Sequence, residues 1–111
     1  MADTKFIGSV EATGFLSTTG TQALSGPGAV DVTNPITEVT TTGADALTLA
    51  DGEEGQHKYI VMAGTGGDGT LTPANLAGGT TITFNAAGDS VHLVFTNGSW
   101  YILGSNSIVV A

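Results

Sequence analysis

The chain has 111 residues with two lysines, no arginine and ten carboxylates, a formal net charge of −8. That is chain enough for one domain, and its sign excludes a basic face for nucleic acid or an anionic membrane. Seventeen glycines and eighteen threonines oppose helix and favour strands punctuated by turns, which excludes a helical bundle.

Cysteine is absent, so neither a disulfide framework nor a thiolate metal site can form. No apolar run suits a signal peptide or a membrane span, and the expectation is a soluble protein made in the cytosol.

Residues 1–28 carry their large apolar side chains mainly as two doublets, Phe6-Ile7 and Phe15-Leu16, among Gly, Ser, Thr and Ala. Neither a helical nor a strand period is sustained, and Leu24-Ser25-Gly26-Pro27-Gly28 ends the stretch on a strong breaker. It reads as an extended N-terminal arm and linker whose paired anchors dock on a neighbour. Residues 29–111 read as a β-rich body.

In that body, β-favouring runs recur at 30–33, 36–42, 46–50, 57–63, 70–73, 80–84, 91–96, 99–103 and 107–110, all but the last closed by Gly, Asn, Asp or Pro. Residues 74–79 read as one helical turn or an irregular loop. Nine short strands at this spacing predict an all-β fold: a small sandwich, a jelly-roll-like body or an intertwined β-prism.

Asn97-Gly98 between alternating runs is the strongest hairpin signal in the chain, because both central residues of a type I′ turn need positive φ. A two-residue loop sets Phe95 opposite Trp100, Val94 opposite Tyr101, Leu93 opposite Ile102 and His92 opposite Leu103. Phe95, Trp100, Leu93, Ile102 and Val91 then share the core face. The other face carries His92, Val94, Tyr101 and Leu103, too apolar for open water. In a domain this small that face is expected to meet another subunit.

Candidate chemistry is sparse. Gly64-Thr65-Gly66-Gly67-Asp68-Gly69 matches G-x-G-x-x-G, but a dinucleotide site needs a helix directly after it and Thr70-Leu71-Thr72-Pro73 is no helix. His57 and His92 fall on separate strands with no nucleophile elbow and no third ligand at metal spacing. Asp45, Asp51, Glu53, Glu54, Asp68 and Asp89 sit mostly in glycine turns, where aspartate bonds its own backbone, and lack calcium-loop spacing. Phe95, Trp100 and Tyr101 suit a core or an interface better than a sugar platform. No catalytic, metal-binding or cofactor-binding residue is assigned, and the chain reads as a non-enzyme with no cofactor.

The run from Leu71 through Pro73, Asn75, Gly78-Gly79 and Phe84, then Gly88-Asp89-Ser90-Val91, Leu93-Val94-Phe95, Asn97-Gly98 and Trp100-Tyr101-Ile102-Leu103-Gly104, resembles segments of tailed-bacteriophage virion structural proteins. Capsid decoration (cement) proteins and fibre-like appendages share this pattern of turns and aromatics over about residues 55–110. The resemblance implies a homotrimer on the three-fold positions of the outer head surface, assembled in a bacterial cytoplasm, with the major capsid protein as partner. It makes Phe6, Ile7, Phe15 and Leu16 the capsid-binding arm and His92, Val94, Tyr101 and Leu103 the subunit-interface candidates. The alternative it implies is a tail-fibre or head-fibre module that binds receptor or glycan.

Overall fold

The structure, a computed structural model, describes residues 20–111. They form β1 (Thr21–Ser25), β2 (Gly28–Val30), β3 (Ile36–Thr40), β4 (Asp45–Leu49), β5 (Gln56–Gly64), β6 (Gly69–Pro73), β7 (Ile82–Phe84), β8 (Ser90–Thr96), β9 (Ser99–Asn106) and β10 (Val109–Val110), with no helix among the described residues.

Two five-stranded sheets result, sheet A in the order β1-β3-β5-β8-β9 and sheet B in the order β10-β7-β6-β4-β2. From β1 to β6 the chain crosses to the opposite sheet after every strand. Each strand therefore pairs in parallel with the strand two places on: β1 with β3, β3 with β5, β2 with β4 and β4 with β6. This half is a flattened coil. From β7 onward every new pairing is antiparallel: β6 with β7, β5 with β8, β8 with β9 and β7 with β10. The expected all-β sandwich forms, with mixed sheets rather than the antiparallel strands of a jelly roll.

Period-two alternation puts one side of each strand inside. On β4, Asp45, Leu47 and Leu49 are buried while Ala46 and Thr48 face out; on β8, Val91, Leu93 and Phe95 are buried between half-exposed neighbours. Val39, Ile60, Met62, Leu93 and Trp100 from sheet A meet Leu47, Leu49, Leu71, Ile82 and Phe84 from sheet B in one core. The largest member, Trp100, packs edge-on against Phe95 at 5.2 Å between ring centroids and donates its indole N–H to the Ala50 carbonyl at 2.9 Å.

The glycine-rich stretch after β5 is a packing device between successive coil arches. A Cβ on Gly66 would lie 2.6 Å from the Thr41 carbonyl oxygen, and one on Gly67 2.6 Å from the Gly43 carbonyl group. Thr41 Oγ1 donates to the Gly67 carbonyl at 2.7 Å and accepts the Gly66 N–H at 2.9 Å. The Gly66 amide, which a phosphate loop would leave free, is thus engaged inside the fold.

Two expectations change, and a third resolves between its alternatives. The body begins before Ala29, because Thr21–Ser25 pair along β3 and Gly26-Pro27 is the turn into β2, not a linker. Inward-facing Gln22 anchors this first strand, accepting from Thr37 Oγ1 and the Asp31 N–H, each at 2.9 Å, and donating to the Ala29 carbonyl at 2.9 Å. Of the two readings of residues 74–79 the irregular loop holds, and it lies along β9: the Trp100 N–H bonds the Asn75 carbonyl and the Ala77 N–H bonds the Trp100 carbonyl, both at 2.9 Å. Finally, the hairpin register holds from Thr96-Ser99 to Leu93-Ile102 and then shifts, so His92 faces Gly104 rather than Leu103. Leu103 is the extra residue of a β-bulge.

Candidate interaction surface

Asn97 and Gly98 both take positive φ, 53° and 78°, as the type I′ turn requires. The turn is held from outside by Glu54, whose carboxylate accepts from Thr96 Oγ1 and from the Asn97 N–H. With the hairpin fixed, the outward side chains of β8 and β9 lie on the outer face of sheet A. His92, Val94 and Tyr101 are half-buried there and Leu103 is 56% exposed. The structure therefore brings the four expected interface residues onto one face. Phe6, Ile7, Phe15 and Leu16 lie outside the described residues.

The neighbouring strands enlarge this face. Across the sheet, Ile36 pairs with Tyr59, Tyr59 with His92 and His92 with Gly104; the adjacent row sets His57, Val94 and Tyr101 side by side. Ile36 and Tyr59 are 38% and 43% exposed. The face is thus an aromatic and aliphatic belt running over four strands. The sequence suits His57 to a polar face or subunit contact, where it lies, but singles out neither Tyr59 nor Ile36 as a surface residue. The period-two spacing of His57, Tyr59 and Val61 is a usable signal, but Lys58 between them reads as solvent-facing and hides which set points out.

At the centre of the belt, His57 Nδ1 and His92 Nε2 are 2.8 Å apart and share one hydrogen bond, and the Tyr59 ring stacks on His92 at 4.2 Å and 11°. Such a bond needs one nitrogen protonated and the other free. Burial, with a smaller contribution from the neighbouring His57, pushes the His92 pKa below its ordinary 6.5. The folded ring releases its proton more readily than the unfolded one. Below 6.5 the unfolded chain then binds more protons, so stability is full above that value and is lost as pH falls through the folded pKa. Urea unfolding between about pH 8 and about pH 5 is expected to show this decline, and His92→Gln is expected to flatten it; an unchanged slope in the variant would remove His92 as its source.

The carboxylates are engaged elsewhere. Asp45 accepts the Thr42 N–H at 2.8 Å, Asp89 accepts the N–H groups of Asn85 and Ala86 at 2.9 and 3.1 Å, and Asp51 accepts the Asn75 amide at 2.9 Å. A depression of about 570 Å³ lies among Asp51, Glu53, Glu54 and Gln56, yet no group of three or more His, Asp or Glu among the described residues is arranged to hold a metal ion. No family model matches this chain, and a search of curated proteins finds no match.

Proposed function

We propose that this chain is a non-enzymatic structural protein of a tailed-bacteriophage virion, a capsid decoration protein that binds the outer head surface at three-fold positions as a homotrimer and stabilises it. The observation that carries this reading is the outer face of sheet A, an apolar belt with Glu38 as the one carboxylate projecting from its strands among the described residues, on a strongly acidic molecule. Burying such a face stabilises an assembly by roughly 25 cal/mol per Å² of apolar surface removed from water. The partner is taken from the resemblance of the turn and aromatic pattern of residues 71–104 to virion structural proteins. A net charge of −8 suits the outside of a particle and opposes contact with packaged DNA.

Mixing the purified protein with decoration-free capsids and imaging the particles tests this. Density at the three-fold positions is the expected result; bare shells would refute it. In the same assay Phe6→Ala combined with Phe15→Ala is expected to abolish particle binding, since the arm is taken to hold the shell by its apolar anchors. Wild-type occupancy by this variant would remove the arm from the contact.

The coil of parallel turns supports a second reading, a head-fibre or tail-fibre module. It leaves β1 as an edge of sheet A and β2 as an edge of sheet B, the geometry by which coils extend along a shaft. Binding to host cells or glycans, with bare capsids, would select it.

A further inference from the structure

The β-bulge on β9 re-aims one side chain for which the fold itself has no use. Leu93 pairs with Ile102 and His92 with Gly104, so Leu103 has no residue opposite it and stands out of the sheet at 56% exposure. Bulges bend the strand and redirect a side chain, and this one directs a leucine into solvent. Directly beside it is a hollow of about 290 Å³ over Tyr59, Val61, Ser90, His92, Gly104 and Asn106. The space over Gly104 is open: a Cβ built there meets nothing within 4 Å.

A knob and a hollow side by side on one face cannot satisfy each other within one molecule. Two copies of the chain can. Charge distribution favours the same partner. Of the described carboxylates only Glu38 projects from the strands of this face; Asp31, Asp51, Glu53, Glu54, Asp68 and Asp89 lie in loops and Asp45 is buried. Molecules that each carry −8 repel one another, and they can approach most closely through the surface that carries least of that charge.

We propose that copies of this chain associate through the outer face of sheet A, with Leu103 of one copy seated in the hollow beside Gly104 of the next. An apolar side chain entering a hollow walled by Tyr59 and His92, with polar Ser90, Ser105 and Asn106 also in its lining, combines the aromatic contact and the polar surround of an interface hot spot. This assignment stands on the face alone and holds whether the assembly serves a capsid or a fibre.

Sedimentation equilibrium over a wide concentration range tests it, with circular dichroism and thermal melting to show that each variant is folded. The wild type is expected at a multiple of 11.0 kDa. Leu103→Asp, which puts a charge on the knob, and Gly104→Leu, which fills the hollow, are each expected to yield monomer with an unchanged spectrum. Leu103→Met is expected to keep the oligomer. A monomeric wild type, or either disruptive variant retaining the wild-type mass, overturns the proposal. A monomeric wild type also removes the homotrimer from the proposed function, whereas binding to decoration-free capsids is read separately and tests the virion role.

Discussion

Trp100→Ala is expected to destabilise the fold by about 4 kcal/mol, measured by urea unfolding. Trp100 is the largest fully buried side chain, and removing it leaves a cavity walled by residues already fixed by both sheets. Its neighbours have little freedom to collapse. Phe95 is held by the hairpin, and the chain at Gly52 runs so close that a Cβ there would come within 2.8 Å of the indole ring. The substitution also strands the Ala50 carbonyl, which accepts the indole N–H at 2.9 Å. Trp100→Phe separates the two effects: it keeps most of the ring, loses the hydrogen bond, and is expected to cost about 1–2 kcal/mol plus a smaller packing loss. Equal losses in the two variants would show that the hydrogen bond, not the volume, dominates.

Asp31→Ala is the second large effect, at about 3 kcal/mol. Lys58 on β5 points into the sandwich and is completely buried, its ammonium donating to the Asn34 carbonyl at 2.6 Å and lying 3.4 Å from Asp31 Oδ1. Burial pushes the Lys58 pKa down despite the attraction of Asp31, so the carboxylate only partly offsets the cost of desolvating the ammonium. Removing Asp31 leaves that charge with one neutral acceptor. It also frees the Asn34 N–H and side-chain amide, bonded to Asp31 at 3.0 and 2.9 Å.

Lys58→Met removes the charge while keeping the volume, and is expected to cost only about 1 kcal/mol for the unpaired Asn34 carbonyl. The order of the two variants is the test: a larger loss for Lys58→Met would show that the ion pair itself, not relief of a buried charge, stabilises the fold. The pair also sets part of the acid limit. Burial raises the Asp31 pKa, but the Asn34 hydrogen bonds and Lys58 outweigh it and hold the carboxyl below its usual 3.8. The stability it contributes is full above 3.8 and is lost as pH falls through the folded value. Asp31→Ala should remove that part of the acid limb.

The role of Lys58 shows where reading residues by type fails. As one of two lysines it belongs on the surface by composition, and its neighbour Tyr59, in the most apolar run of the middle of the chain, belongs inside. The structure inverts both. The loop before β3 carries Asp31 and Asn34 to the place where Lys58 enters, and that meeting joins residues far apart in sequence. Once Lys58 has partners inside, period-two alternation turns His57 and Tyr59 out, and the surface belt extends from the hairpin onto β5 and β3.

What the sequence by itself determined were the features set by local physics. Glycine and threonine content gave the all-β class, Asn97-Gly98 gave a hairpin with its register out to Leu93-Ile102, and alternation along β8 placed Val91, Leu93 and Phe95 inside and His92 and Val94 outside. Only the tertiary structure decided where each turn leads. A glycine-rich turn ends a strand equally well whether the chain folds back beside it or arches to the opposite sheet. The choice rests on contacts made a full coil later, such as Thr41 with Gly66 and Gly67. The bulge that frees Leu103 was likewise invisible, because a register shift is set by the pairing of β8 with both β5 and β9, and a turn two residues long fixes only the pairs nearest to it.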